Sequence, residues 1–328
     1  MASDQSDFPI SIIVPCHNAA GTIRATLSSV ASQQNAPGKI ELIVIDDAST
    51  DESVAEVEKF FGEAHVGLEC VVLKNEQNLG VSGTRNRGIA AAHGEYIGFL
   101  DADDALHPRF AEVLYDAVKT HDADCAVARL RRVSGNATVR SAVHEATLRA
   151  VTFTGAQYAR EARYNELFDT SCGKLYRRQF ILSHKLSFRG ALCFGEDTLF
   201  ANSVAIASER IAVLPEFDGY YYYVDVTASL SKRTQIEKRL NDLRTLLEEL
   251  AVLLPVDENR LLLRKCCEYL WAIRKFGGDQ RQAMLKQAFE CPFGRELLVP
   301  TIMQYGKRKH RWLVALIALK HYWLIHFW

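Results

Sequence analysis

Short apolar runs rich in β-branched residues alternate with helix-periodic segments through about the first 130 residues of this 328-residue chain. Ile10–Val14, Ile40–Ile45, Leu68–Leu73 and Tyr96–Leu100 have the length and composition of buried strands. Between them, Thr22–Gln33 repeats Ile23, Leu27 and Val30 at helical spacing, and Val54, Val57 and Phe61 share one helical face. Ser49 and Glu52 have the spacing of a capping box ahead of that second helix. A further helix is expected over Ser82–Ala92. Pro108 starts another, with Phe110, Val113, Leu114 and Ala117 inward, and Cys125–Leu130 reads as a fifth strand. Strand–helix alternation of this kind predicts an α/β fold with a mostly parallel sheet covered on both faces.

In such sheets ligands bind beyond the carboxyl ends of the strands. The residues at those ends are Pro15-Cys16-His17-Asn18, Asp46-Asp47 and Asp101-Ala102-Asp103-Asp104, which should converge on one cleft. Asp101 and Asp103 are two apart, so in extended chain they point the same way. Paired carboxylates suit a hard divalent cation, Mg2+ or Mn2+; an acidic turn capping the helix after Pro108 is the competing reading. Asp46 and Asp47 can accept N–H or ribose donors, or cap the next helix. Arg85 and Arg87 follow a glycine-containing loop, where arginine meets phosphate or braces a carboxylate. Glu196 and Asp197 open an apolar helix, whose dipole favours a charged carboxylate able to take a proton; a plain cap is the alternative.

The middle section, Val151–Tyr223, is less regular and ends in the aromatic run Tyr220–Tyr223. From Ser231 the chain reads as helical, with a stripe of Leu240, Leu243, Leu246, Leu247 and Leu250 and further helices over Arg260–Phe276 and Gln280–Phe289. A boundary near residue 230 divides a 1–230 domain from a 231–328 helical extension. Net charge is −1, so no nucleic-acid partner is expected, yet no acidic residue follows Glu296. Lys307, Arg308, Lys309, Arg311 and Lys320 interleave with Trp312, Tyr322, Trp323, Phe327 and Trp328. That mixture predicts a helix lying on an anionic membrane surface, against the alternative of a terminal helix packed on protein. Met1–Asp7 has no basic or apolar stretch, so no secretory leader is expected. Eight scattered cysteines without a CxxC suggest reduced thiols and a cytoplasmic setting.

Taken together, these segments resemble the family-2 glycosyltransferases of GT-A fold. Ser11-Ile12-Ile13-Val14-Pro15-Cys16-His17-Asn18 is similar to that family's opening strand, and Glu41–Glu52 (ELIVIDDASTDE) to its second-strand signature. Asn78-Leu79-Gly80 with Thr84-Arg85-Asn86-Arg87-Gly88, then Tyr96–Asp104 (YIGFLDADD), then Gly195-Glu196-Asp197 follow in the family's order. The resemblance implies a Rossmann-like sheet that binds a nucleotide-diphosphate sugar, often of UDP. It further implies that Pro15, His17 and Asn18 line the base pocket, that Asp46 with Asp47 contacts the base, and that Arg85 and Lys174 help hold the nucleotide. Asp101, Ala102 and Asp103 would bind ribose and a Mn2+ or Mg2+ ion, with Asp103 and Asp101 as metal ligands. Asp197, beside Glu196, would be the general base of an inverting transfer to a glycan or lipid-linked acceptor in cell-envelope synthesis. Where the family often has YYYRxRxxS, this chain has Tyr221-Tyr222-Tyr223 followed by Val224 and Val226; Lys232 or Arg233 are candidates to compensate. A non-catalytic nucleotide-sugar binder and a nucleotidyltransferase are the alternatives, the latter lacking its usual Gly-rich phosphate loop here.

Overall fold

The first strand, β1 (Phe8–Cys16), is buried without interruption from Ile10 to Val14, and all seven residues of β2 (Ile40–Asp46) are buried. Strands covered on both faces need such unbroken apolar runs, which is why these segments were legible. The computed structural model describes residues 8–63, 65–134, 150–160, 167–224, 236–253, 260–276, 281–291 and 293–305. Met1–Asp7, Val226, Ser229, Lys232, Arg233 and the basic, aromatic segment 307–328 lie outside them.

Helix α1 (Ile23–Ala31) connects β1 to β2, and α2 (Ser53–Phe61) connects β2 to β3 (Leu68–Lys74). Helix α3 (Gly80–Ala91) then leads into β4 (Gly94–Phe99). These four strands are parallel in the order β3-β2-β1-β4. Gly88 lets α3 lie close on this sheet: a Cβ there would sit 2.4 Å from Ile13 Cγ2 and 3.1 Å from Ile45 Cδ1. Two buried polar groups in the sheet satisfy each other. Ser11 donates to Glu41 Oε2 at 2.5 Å, and Glu41 also accepts the His93 backbone N–H at 2.8 Å.

Beyond β4 the pairing becomes mixed. Among the described residues the sheet continues with β8 (Lys174–Arg177), β6 (Cys125–Val133), β9 (Ile211–Tyr223) and the short β5 (Ala105–Leu106), with β7 (Val151–Phe153) also on β9. β8 runs antiparallel to both β4 and β6, whereas β6 and β9 are parallel. The four residues of β8 carry a Lys and an Arg, too short and polar a run to read as a strand. The aromatic run Tyr220–Tyr223 is the end of β9, which Pro215 and Gly219 disguise and whose register shifts against β6 near Arg129. Helix α4 (Phe110–Thr120) buries Phe110, Val113, Leu114 and Ala117 as the periodicity predicts. In α2 the buried aromatic is Phe60 rather than Phe61.

Contacts divide the chain into two compact units. One holds residues 1–155, 166–192 and 196–229; the other holds 156–165, 193–195 and 230–328. Short helices α5 (Gly155–Arg160) and α6 (Arg178–Ser183) and the longer α7 (Glu196–Ala207) belong to the middle of the chain. The second unit contains α8 (Ile236–Leu253), α9 (Arg260–Phe276), α10 (Arg281–Glu290), a π-helical turn (Gly294–Leu298) and α11 (Val299–Tyr305). Leu240, Leu243, Leu246, Leu247 and Leu250 of α8 are buried, as the leucine stripe predicts. No helix of the described residues is long and apolar enough to cross a membrane. All eight cysteines are described, and none forms a disulfide.

Just before α4, His107 is 3 % exposed, edge-on to Phe217. Burial, then Arg109, holds its imidazole down at about 4. A histidine kept neutral in the fold protonates first in the unfolded chain. Its stabilising effect is therefore complete above about pH 6.5 and is lost as pH falls towards 4. His107→Gln should flatten the fall of stability between those values by roughly 3 kcal/mol in denaturant titrations. An unchanged pH dependence would contradict this.

Candidate active site

The strand order reverses on either side of β1, whose neighbours are β2 and β4. That is the switch point at which an open α/β sheet leaves a crevice. Cys16 pairs with Asp46 and Asp46 with Lys74, so β1, β2 and β3 end level. β4 leaves the sheet after Phe99, beside Ile13, and delivers Asp101 to the same edge.

On one side of the crevice the loops after β1 and β2 dock on each other. His17 and Asn18 are exposed and Pro15 half-buried. His17 Nδ1 lies 2.8 Å from the Asp47 carbonyl, so it must be the protonated ring nitrogen. Asn18 adopts φ +51°, its N–H donates to Ser49 Oγ at 3.0 Å, and its Oδ1 accepts the Thr50 N–H at 2.8 Å. Ser49 is thus spent on Asn18. The capping box expected from Ser49 and Glu52 does not form: α2 begins at Ser53, whose N–H donates to Asp51 Oδ1 at 3.0 Å.

Asp46 and Asp47 differ sharply. Asp47 Oδ1 accepts from Asn75 Nδ2 at 2.7 Å and the Leu79 N–H at 2.8 Å, and Oδ2 accepts the Gly80 N–H at 2.9 Å. These bonds fix the loop that starts α3, and they occupy the carboxylate that sequence reading offered to the base. Arg87 serves the same loop, donating to Asn75 Oδ1 and, at 2.7 Å, to the Lys74 carbonyl. Asp46 meets only the Ser49 N–H, at 3.3 Å from each oxygen, among the described residues.

The centre of the site is Arg85. Its side chain is 2 % exposed, and its guanidinium donates to Asp197 Oδ1 at 2.6 Å and to Asp101 Oδ1 at 2.7 Å. Glu196 Oε1 lies 3.5 Å away, and the Phe188 ring centroid is 5.3 Å from Cζ. Burial works against the Arg85 charge, but Asp197 and then Asp101 hold it. Ser171 Oγ also donates to Asp197 Oδ1, at 2.6 Å. One guanidinium therefore joins the carboxylate after β4 to the pair that opens α7. The sequence reading sets Arg85 on the nucleotide; the structure shows it on these carboxylates, with Nε unpartnered among the described residues. Asp197 and Glu196 are both pushed up, first by burial, and for Glu196 next by Asp197.

Lys174 also departs from its expected role. Its ammonium is buried, donating to the Thr170 carbonyl at 2.6 Å and the Cys172 carbonyl at 3.0 Å. Burial lowers it to about 8. It braces the loop that carries Ser171 and is closed off from a ligand. Ser171, Phe188 and the Tyr220 hydroxyl escaped sequence reading; Ser171's one signal is its place beside Cys172-Gly173-Lys174.

Asp104 is a structural carboxylate. It accepts from Tyr220 Oη at 2.7 Å and the Tyr223 N–H at 2.9 Å, while the Asp101 N–H donates to Tyr220 Oη at 3.2 Å. Thr26 Oγ1 meets the carbonyls of Ala102, at 3.0 Å, and Asp104, at 2.8 Å. This frame leaves Asp103 as the unbraced acid of the loop. Burial, then the Asp101 charge, pushes its carboxyl up to about 6. Two neighbouring carboxylates, one of them Asp103 pushed up by burial and by the other's charge, fit a hard divalent cation, which would favour the charged form of Asp103. No group of three or more acidic, His or Cys ligands converges among the described residues. A cation on Asp101 and Asp103 would have to take its other ligands from outside this pair.

A mostly parallel sheet with carboxylates gathered beyond the ends of β2 and β4 is the framework of the GT-A nucleotide-sugar transferases. The chain belongs to glycosyl transferase family 2, whose model matches residues 11–183. It is 30 % identical over 217 residues to the Staphylococcus aureus poly(ribitol-phosphate) beta-N-acetylglucosaminyltransferase TarS. The match covers 65 % of this chain and 35 % of TarS, so this chain spans about a third of that relative's length. The fold matches S. aureus TarS 1–349 in complex with UDP-GlcNAc at a TM-score of 0.65, 23 % identity, and 90 % and 81 % of the two chains. It also matches the Pyrobaculum calidifontis mannosyltransferase PcManGT in complex with GDP-Man and Mn2+. There the TM-score is 0.54, at 17 % identity, over 99 % of this chain and 89 % of that one.

Removing Arg85 would strand buried carboxylates. Arg85→Met is expected to lower unfolding stability by about 3–5 kcal/mol, read from urea midpoints. A loss below about 1 kcal/mol would show that the carboxylates do not depend on it.

Proposed function

We propose that this chain is an inverting, metal-dependent glycosyltransferase that moves a sugar from a nucleotide-diphosphate sugar, a UDP-sugar by preference, to an acceptor hydroxyl. The observation that carries this reading is the joint hold of Arg85 on Asp101 and Asp197. It joins a carboxylate of the loop after β4 to one that, in this reading, meets the acceptor. The structural likeness to a UDP-GlcNAc complex supports the donor class, and the relative acting on poly(ribitol-phosphate) supports a surface-polysaccharide acceptor.

In this reading Pro15, His17, Asn18 and Asp46 line the base and ribose end. Asp101 and Asp103 would hold Mn2+ or Mg2+, a Lewis acid that stabilises charge developing on the leaving diphosphate. Arg85 and Ser171 fix Asp197 through Oδ1, which leaves Oδ2 to take the acceptor proton. As the acceptor oxygen bonds to the anomeric carbon, the bond from that carbon to the phosphate oxygen breaks. The electron pair leaves with the nucleoside diphosphate, and the proton ends on Asp197. Approach from the face opposite the leaving group inverts the anomeric centre, through an oxocarbenium-like state. The segment 307–328 would hold the enzyme to the anionic inner face of the plasma membrane, near a glycan or lipid-linked acceptor.

The test is turnover of a nucleotide-sugar panel with Mn2+, comparing wild type with Asp197→Asn. Loss of a general base is expected to lower kcat by about 10²–10⁴-fold with donor binding retained. Full activity in Asp197→Asn would remove Asp197 from this role, and no turnover by wild type with any donor and acceptor would defeat the enzymatic reading.

A further inference from the structure

Among the described residues, the site is short of cations for a diphosphate. Arg85 is committed to carboxylates, Lys174 to carbonyls, and Arg87 to the loop at Asn75. Asp101, Asp103 and Asp104 together would repel an anionic ligand, and Val224 at the end of β9 adds no charge.

Strand β6 supplies three arginines at its carboxyl end, and the pleat sorts them. Arg129 and Arg131 share a face and both reach Asp218, at 2.5 and 3.6 Å. Arg132 points the other way. It pairs in register with Tyr222, as Leu130 does with Tyr220, and the Val224 N–H donating to the Val133 carbonyl at 3.1 Å extends the ladder past them. Tyr220 and Tyr222 lie two apart on β9 and so share a face, and it is the Tyr220 hydroxyl that touches Asp104 and the Asp101 N–H. Arg132 therefore sits on the side of the sheet turned to the acidic loop, one residue pair beyond Tyr220. The Tyr222 phenol reports both neighbours: burial, then Asp104, Asp103 and Asp101, raise it, while Arg132 opposes them. Arg132 is exposed and makes no ion pair among the described residues.

We propose that Arg132 is the diphosphate-binding arginine of this chain, supplied from β6 across Tyr222. An exposed guanidinium offers a fork of N–H donors matched to phosphate oxygens, and it balances charge beside the carboxylates that would carry the cation. This assignment rests on the donor class given under Proposed function.

The experiment is titration calorimetry of the full chain in Mn2+ with UDP and with uridine. Arg132→Ala should weaken UDP by about tenfold, the scale of one charged hydrogen bond, and change uridine less than about twofold. Arg132→Lys should recover most of the UDP affinity, and Arg131→Ala, on the Asp218 side, should match wild type. Arg132→Ala binding UDP as wild type does, or losing uridine to the same degree, would overturn the assignment while leaving the proposed donor class intact. Wild type binding neither UDP nor GDP would overturn that class, and Arg132's role with it.

Discussion

A buried guanidinium among carboxylates is the constraint on which the rest of this site depends. Arg85 carries one positive charge against Asp101, Asp197 and Glu196. Removing charges from water is costly, and a buried cation is held only where geometry and hydrogen bonding compensate. Here two bonds of 2.6 and 2.7 Å provide that compensation. Burial, with more acid than base at the sheet edge, pushes Asp103, Asp197 and Glu196 all up. Such an acidic edge is compatible with the cation and diphosphate of the proposed reaction.

The acidic residues fall into two groups by what fills their oxygens. Asp47 and Asp104 accept two or three donors each and shape loops: Asp47 opens α3, and Asp104 ties the loop after β4 to β9. Asp103 sits in the loop that Asp104 ties down, and Asp197 is held through Oδ1 by Arg85 and Ser171. The braced acids thus shape the turn that carries Asp103, on a strand end rather than a long loop.

Much of the sheet was legible because strands buried on both faces must be apolar throughout, and because α4 and α8 keep strict helical spacing. β8 and β9 were not, since a four-residue antiparallel insertion and a strand interrupted by Pro215 and Gly219 carry no period. In the site, the types and order of Asp101, Asp103 and Asp197 pointed to a shared cleft. Their partners did not show. Arg85 meets residues 16 and 112 positions away, and nothing in either local sequence says which carboxylate it will choose. The same blindness to distant partners put Ser49 in a capping box, when it is used by Asn18, 31 positions away; Lys174 is spent on carbonyls of its own loop.

The most direct measurement is a crystal structure of the chain with UDP and Mn2+. The cation should sit on Asp101 and Asp103, with the diphosphate beside it, the base end near Asp46, and Arg85 still bonded to Asp197. A nucleotide bound away from the ends of β1, β2 and β4, or a cation that leaves Asp101 and Asp103 untouched, would contradict the role given to this cluster.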